Sequence, residues 1–404
     1  MFLTKGRLRL YLGALLLLQI VTCARLLPFA RAGQTDFRTF YTAGHMLRIG
    51  EPLYDYAAET TAQSTLVSPN SFALPFMSPP YTALLFVPFS WFDYRTAYIL
   101  FLAFNFVCFG LALFLLRPFI SRLDTKWPPA AALVGLSFLP LGIAMTFGQL
   151  SLVLLLLYCA CFVALQSGRP ILAGICLALA LIKFQIALPV ALLFLLWRQW
   201  RFFAGFLTGA VALTLFSLRI TGAAATRAYL YSLLTMSQAS STGAGQAKYA
   251  MFSAQMPNLY GLLHTIFFGA PWSLYLTVLL SISVLLWAAM QQPSLPLALL
   301  AGLLVSYHLY LYDLTLLLLP MLLVFNTGID LPLKGRRKAA FFTCLLLAAA
   351  TIEGTFLFSN FDYDFLFALP SAALFVLSSG VLPRIPVSTQ TQLAPQNRGM
   401  AVQA

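Results

Sequence analysis

The segment Asp36-Phe37-Arg38-Thr39-Phe40-Tyr41 places a carboxylate among aromatic side chains, just beyond a long apolar stretch. A carboxylate that is partly removed from water has a raised pKa and is a stronger base. Asp36 is therefore a candidate catalytic base, and Arg38 and Tyr41 beside it are candidate substrate-binding residues. The alternative is structural, because Asp36 also precedes a helical pattern and could cap its first amides. The spacing leaves both interpretations open.

Lys183 ends a short apolar helical pattern, LAGICLALALIK. An ionisable residue inside a membrane span is a candidate functional residue, and a cation here would suit an anionic lipid head group. The structural alternative is that the Lys183 side chain extends from an apolar helix to the polar membrane interface.

The turn Gly50-Glu51-Pro52 precedes a second carboxylate, Asp55. Turn geometry accounts for the glycine and the proline without any function. Asp55 is a candidate substrate-binding residue, with a helix cap as the alternative that the pattern favours.

The segment Ser306-Tyr307-His308-Leu309-Tyr310-Leu311-Tyr312-Asp313 combines an imidazole, phenols and a carboxylate at the junction of two predicted helices. His308 and Tyr312 are four residues apart, so on one helix they would share a face. We interpret His308 as a candidate catalytic residue and Tyr312 and Asp313 as candidate substrate-binding residues. A purely structural histidine is the alternative.

Two weaker signals remain. Gln149 follows Gly148 at a predicted tight turn between two apolar helices, and its amide is a candidate substrate-binding group. Asp362-x-Asp364 has the spacing of a carboxylate pair that could bind a metal ion, but pairs of this kind are common by chance. We therefore predict no metal site and no cofactor.

The elements that position these residues are predicted to be membrane helices. Of the 404 residues, 61% are hydrophobic and only 9% are charged, whereas soluble domains have about 25% charged residues. Apolar runs of about 20 residues recur along the chain, which is typical of a helical bundle in a bilayer. The six cysteines lie within apolar runs and form no CxxC pair, so neither a disulfide framework nor a metal site is indicated.

The net charge of +13 does not indicate a nucleic-acid partner. Most Lys and Arg residues fall in short segments on one side of the predicted spans, which marks the cytoplasmic side. The other side receives most of the acidic residues and all three histidines. Any chemistry is therefore expected on the extracytoplasmic side, in the inner (plasma) membrane, with both termini cytoplasmic.

We predict an all-α polytopic membrane protein of about 11–13 transmembrane helices. Residues 1–382 form one transmembrane domain, and residues 383–404 form a disordered cytoplasmic tail. The first helix is expected to be uncleaved. Residues 31–93 form a long first extracytoplasmic loop with interfacial helices, and residues 221–258 form a second long outer loop whose Gly/Ser-rich half is expected to be mobile. The predicted spans include 129–147, 171–183, 185–197, 202–220, 272–289, 294–310 and 313–327.

Several stretches together resemble glycosyltransferase family 87, the polyprenol-phosphate-sugar-dependent membrane enzymes with the GT-C fold. The matching pieces span roughly residues 35–325 and are DFRTFYTAG, GEPLYD, SPPYTALLFVPFS, TFGQLSLVLLLL, AGICLALALIKFQIALPVALLFLLWRQWR, MPNLYGLL and SYHLYLYDLTLLLLP. The family often has proline before this histidine and after this lysine, where the chain has Tyr307 and Phe184. That difference concerns local helix geometry more than chemistry.

The resemblance implies that Asp36 is the catalytic carboxylate and that His308 is the histidine near the outer end of a later helix. Lys183, Gln149 and Asn258 would line the donor or acceptor site. A sugar on a lipid phosphate carries its own leaving group, so one base for the acceptor hydroxyl and cations for the phosphate suffice. We therefore expect Asp36 as base, His308 as its orienter, and Lys183 with Arg38 near the phosphate.

The expected partners are a polyprenyl-phosphate-linked sugar, a glycolipid or glycan acceptor and the lipid bilayer, with no nucleic acid. Displacement would invert the anomeric centre. Mannose is the family's best-known donor sugar, but no residue here selects it over other pyranoses or a pentofuranose. The alternatives are a transporter or lipid flippase, which Glu353 within a predicted span favours, and a non-catalytic assembly partner.

Overall fold

The protein is all-helical in the part that the computed structural model describes, which is residues 5–68, 73–126, 129–239, 252–328, 335–357 and 363–386. These residues form α-helices and short 3-10 helices and contain no strand. The predicted all-α polytopic membrane fold is therefore confirmed.

Six described helices are long and apolar enough to cross a bilayer, or seven if one bent pair counts as a single span. They are Arg9–Arg31, Tyr94–Phe119, Pro170–Leu196, Trp200–Thr235, Trp272–Ala289 and Leu311–Gly328, with the pair Ala130–Leu136 and Leu139–Phe147 bent by 61°. Ser151–Gln166, Leu295–Val305 and Asp364–Ser378 are apolar but shorter. At 1.5 Å per residue, the shorter helices fall below the thickness of a bilayer core. The total of 11–13 spans stays a prediction.

The predicted helix 129–147 is wrong as a continuous element, because it breaks between Leu136 and Leu139. Gln19, which is 3% exposed, donates hydrogen bonds from Nε2 to the carbonyls of Phe138 (3.4 Å) and Leu139 (3.3 Å). A buried amide from another helix thus binds carbonyl groups at the break.

The two predicted spans 171–183 and 185–197 instead form one interrupted span. Pro170–Leu179 is α-helical, Ala180–Lys183 is a 3-10 turn and Phe184–Leu196 continues as an α-helix. Lys183 lies at this interruption, so its side chain leaves the helix where the backbone changes geometry.

The predicted span 202–220 continues into the predicted second outer loop, 221–258, as one long helical element, Trp200–Ala239. Gly222 interrupts it with φ 77° and ψ 171°, a conformation that is essentially restricted to glycine. Residues 223–239, the outer helical arm, are helical. Most of the Gly/Ser-rich stretch 237–249 and most of the predicted disordered tail lie outside the described residues, as do Asp362 and the side chain of Glu353 in the helix Gly335–Leu357.

Residues 31–93, the predicted first extracytoplasmic loop, are called the first outer segment. The segment contains the helices Phe37–Ile49, Tyr56–Leu66 and Pro80–Leu84 and the 3-10 turn Phe89–Trp91. Its buried face is aromatic. Phe37 packs on Phe101 of the span Tyr94–Phe119 at 5.2 Å between ring centroids, and Phe40 stacks on Phe86 at 5.0 Å. Such ring pairs stabilise packing beyond the area they bury, and they fix the helix that begins after Asp36.

The predicted helix 294–310 is wrong at its carboxyl end, because the helix Leu295–Val305 stops before His308. Ser306 adopts an extended ψ of 134°, and its carbonyl accepts a hydrogen bond of 2.7 Å from Asn258 Nδ2. A new 3-10 helix, Leu311–Leu317, then leads into the helix Leu318–Gly328. His308 and Tyr312 therefore do not share a helix face.

Candidate active site

A cavity of about 300 Å³ lies between the first outer segment and several apolar helices. Its polar lining comes from distant parts of the chain and includes Asp36, Gln149, Lys183, Gln255, His308 and Asp364. Aromatic and aliphatic side chains form the rest of the wall, including Phe40, Met77, Ile143, Phe147, Ile182, Phe184, Leu233, Tyr310 and Tyr312. A mostly apolar cavity with a few convergent polar groups is typical of a binding site for an amphipathic ligand.

Asp36 precedes the helix Phe37–Ile49, but its side chain makes no capping hydrogen bond among the described residues. Its Oδ2 instead accepts a hydrogen bond from Gln149 Nε2. Burial raises the pKa of Asp36, while the Gln149 hydrogen bond and the nearby charges of Lys183 and Arg38 partly offset that rise. The carboxylate is thus oriented and made more basic, as a general base requires.

The position of Gln149 depends on the turn that precedes it. Gly148 ends the helix Leu139–Phe147 with φ 67°, and a Cβ there would lie 2.5 Å from the Cβ of Phe37. The Gln149 N–H then closes the turn on the carbonyl of Ala144 at 2.8 Å. Only glycine allows both this backbone conformation and the close approach of the Asp36 segment.

Lys183 and Asp313 form an ion pair with 2.5 Å between Lys183 Nζ and Asp313 Oδ1. The Lys183 ammonium also lies 4.6 Å from the centroid of the Tyr312 ring, within cation–π distance. Lys183 retains 13% side-chain exposure, whereas Asp313 retains 1%. Lys183 thus presents a fixed positive charge to the cavity.

His308 lies on the extended segment between two helices, with Gln185 Nε2 donating to its carbonyl at 3.3 Å. Its own Nε2 is buried and has no hydrogen-bond partner in the described part of the chain. Burial, together with the charge of Lys183, lowers the pKa of His308 to about 3, so the ring is neutral at pH 7. Gln149, not His308, is the described group that hydrogen-bonds Asp36.

Five predicted site residues do not line the cavity: Arg38, Tyr41, Asp55, Asn258 and Asp313. Arg38 is buried and donates from Nη1 to the carbonyl of Gly33 at 3.3 Å, acting on Asp36 through charge alone. The Tyr41 hydroxyl donates to the carbonyl of Phe92 at 2.8 Å. Asp55 caps the helix Tyr56–Leu66, and Asn258 caps the helix Leu259–Ile266. Direct contact between these residues and a substrate stays a prediction.

Sequence reasoning did not place Gln255, Tyr310 or Asp364 in the site. The sequence indicates Asp364 only as half of a possible carboxylate pair, whereas in the structure this residue is 9% exposed and lies at the cavity wall. No group of three His, Cys, Asp or Glu residues suited to a metal ion occurs among the described residues. The missed residues have no local signal, because they reach the cavity only through packing of distant segments.

Comparison with known proteins identifies the family. The profile of glycosyltransferase family 87 matches residues 76–320, more than half of the chain, and this match includes Gln149, Lys183, Asp313 and His308 but not Asp36. No curated protein and no solved structure matches the chain. The match favours an enzyme over a transporter or an assembly partner. The chain therefore belongs to glycosyltransferase family 87 and is a multi-pass membrane glycosyltransferase.

Proposed function

We propose that this glycosyltransferase moves a sugar from a polyprenyl phosphate to an acceptor hydroxyl on the extracytoplasmic side of the plasma membrane. The observation that carries the proposal is the convergence, in one cavity, of one hydrogen-bonded carboxylate at Asp36 and one fixed cation at Lys183.

The proposed step needs one base. Asp36 removes the proton of the acceptor hydroxyl as its oxygen attacks the anomeric carbon of the donor sugar. The bond between that carbon and the phosphate oxygen breaks, and the electron pair leaves with the polyprenyl phosphate. Attack from the face opposite the phosphate inverts the anomeric centre. Glycoside hydrolases instead use two carboxylates, because their leaving group needs a proton.

The departing phosphate is stabilised by the Lys183 side of the cavity. The ammonium of Lys183 offers charge, and the neutral imidazole of His308 offers a hydrogen bond through Nε2. Fixed donors placed where negative charge develops stabilise a transition state strongly. His308 thereby acts on the phosphate, while Gln149 takes the role of orienting Asp36.

The apolar wall suits the first isoprene units of the donor. Met77, Ile182, Phe184 and Leu233 line the cavity beside the polar groups. Burying apolar groups contributes about 25 cal/mol for each Å² removed from water, which favours a lipid-linked donor over a nucleotide sugar.

The test is a donor panel offered to the purified protein in detergent. Polyprenyl-phosphate mannose, polyprenyl-phosphate glucose and polyprenyl-phosphate arabinofuranose are incubated with a cell-envelope lipid extract, beside the matching nucleotide sugars. We expect consumption of one polyprenyl donor with release of polyprenyl phosphate, and no consumption of nucleotide sugars. Consumption of a nucleotide sugar alone would refute the proposed donor class.

A further inference from the structure

Asp313 is a carboxylate whose two oxygens are both occupied by the protein. Oδ1 accepts hydrogen bonds from Lys183 Nζ at 2.5 Å and from Ser151 Oγ at 3.1 Å. Oδ2 accepts a hydrogen bond of 3.2 Å from the backbone N–H of Tyr310. Asp313 and Ser151 are essentially inaccessible, and Asp313 does not line the cavity. A carboxylate in this state is poorly placed to bind a substrate hydroxyl.

The three donors come from three separate segments. Ser151 begins the helix Ser151–Gln166, Lys183 lies at the interruption of the span Pro170–Leu196, and Tyr310 precedes the 3-10 helix Leu311–Leu317. Asp313 therefore connects Lys183 to the segment that carries His308. An ammonium has three N–H donors, so Lys183 keeps donors for a ligand after binding Asp313.

We propose that Asp313 is a positioning residue: it holds the Lys183 ammonium and the His308 segment in the arrangement that receives the donor phosphate. This inference rests on the proposed function, because it assumes that Lys183 binds a lipid phosphate.

The charge of Asp313 and its positioning role predict opposite effects of Asp313→Asn on the binding of an anion. Removing a negative charge beside Lys183 makes the site more positive, which by Coulomb's law alone would tighten the binding of an anion. Losing the anchor lets a flexible lysine side chain and an extended segment move, and ordering them again on binding costs entropy. Weaker phosphate binding by a more positive site is therefore the signature of positioning.

The experiment measures the dissociation constant of farnesyl phosphate, a short polyprenyl phosphate, for purified full-length protein in detergent, with farnesol as the uncharged reference. We expect the wild type to prefer farnesyl phosphate and Lys183→Met to lose about 10–100-fold in affinity, the range for a hydrogen bond with a charged partner. Asp313→Asn should weaken binding by about 3–10-fold. The double variant should lose less than the product of the two single losses, because part of the effect of Asp313 acts through Lys183.

Asp93→Asn is the charge-matched control, since it neutralises a carboxylate that caps the helix Tyr94–Leu116 and does not line the cavity. It should leave the affinity unchanged. Ser151→Ala removes one anchor of Asp313 and keeps both charges, so a two- to fivefold weakening, about the value of one hydrogen bond, is expected even if Asp313→Asn does not fold.

The possible results distinguish a failure of the proposed donor from a failure of the positioning role of Asp313. Equal binding of farnesyl phosphate and farnesol by the wild type, or unchanged binding by Lys183→Met, overturns the proposed donor and this inference with it. A normal Lys183→Met loss combined with tighter or unchanged binding by Asp313→Asn overturns the positioning role alone. Fully multiplicative losses in the double variant do the same, because they would mean that Asp313 does not position Lys183.

Discussion

Asp36 is oriented by a neighbour that lies far away in the sequence. Gln149, 113 residues later, binds and orients its carboxylate. Burial raises its pKa, and the hydrogen bond together with two cations limits that rise. A carboxylate with a raised pKa is a stronger base than one in water.

We predict that Asp36→Asn lowers sugar transfer by about 10²–10⁴-fold, the usual contribution of a general base. The asparagine carbonyl oxygen can still accept the Gln149 hydrogen bond, so the melting temperature in detergent should change little. The measurement is turnover of the donor identified in the panel.

Asp55→Asn is the matched control for that prediction, because it makes the same charge change at a carboxylate that caps a helix and does not line the cavity. Asparagine caps helices about as well as aspartate, so activity and stability should both stay near the wild-type values. Near-normal transfer by Asp36→Asn would remove Asp36 from the role of base.

The raised pKa of Asp36 also predicts the pH profile. The base must be ionised, so kcat/KM should fall as the pH decreases, with a midpoint above the ordinary aspartate pKa of about 4. Gln149→Leu removes a hydrogen bond that lowers the pKa of Asp36, and should move this acid limb to higher pH.

His308, with a pKa of about 3, should add no limb to the pH profile between about pH 5 and 8. An acid limb that disappears in His308→Gln would therefore contradict the assignment of Asp36 as the base.

At the scale of elements, interruptions of the helices place the functional groups. Lys183 lies in a 3-10 turn, Gln149 follows an αL glycine and His308 lies in an extended segment between helices. A continuous helix pairs its own backbone groups and directs its side chains along fixed faces. The interruptions free both backbone and side chains to face the cavity.

Gly222 is the interruption that sets the direction of the outer helical arm. Leu233 on this arm lines the cavity, and Tyr229 packs on Tyr54 of the first outer segment at 5.4 Å between ring centroids. Gly222→Ala meets no neighbouring atom within 4 Å but places an L side chain at φ 77°. We expect a loss of about 1–3 kcal/mol in stability and a weaker apparent affinity for the donor.

The measurements are thermal unfolding in detergent and the donor KM. Gly110→Ala is the control, since Gly110 lies inside the helix Tyr94–Leu116 with no atom within 4 Å of the new Cβ. Alanine there should be neutral or stabilising by about 0.5–1 kcal/mol. Identical behaviour of the two variants would show that the conformation of Gly222 does not matter.

At the scale of the whole molecule, the distribution of basic residues predicts that the cavity faces away from the cytoplasm. Thr61 is exposed in the first outer segment, and Ser167 is exposed at the turn before Arg169. The described cysteines are all buried or half-buried, so a new surface cysteine can be followed by labelling.

We expect a membrane-impermeant maleimide to label Thr61→Cys in intact cells, and Ser167→Cys only after permeabilisation. Neither position is in the cavity wall, so the substitutions should leave the site intact, which donor turnover would check. The reverse labelling pattern would place the cavity on the cytoplasmic side, where nucleotide sugars are available.

The sequence by itself determined the membrane class, the helical fold, the bounds of elements such as Trp272–Ala289 and the candidacy of Asp36 and Lys183. These follow from local properties: the length of apolar runs, turn residues, and rare charges in an apolar setting. Only the tertiary structure decided which partner each group has, since Asp36 pairs with Gln149 and Lys183 with Asp313 across 113 and 130 residues. It also ended the helix before His308, because Asn258 binds the Ser306 carbonyl. Such contacts depend on how distant helices pack, and no periodicity within one segment records that.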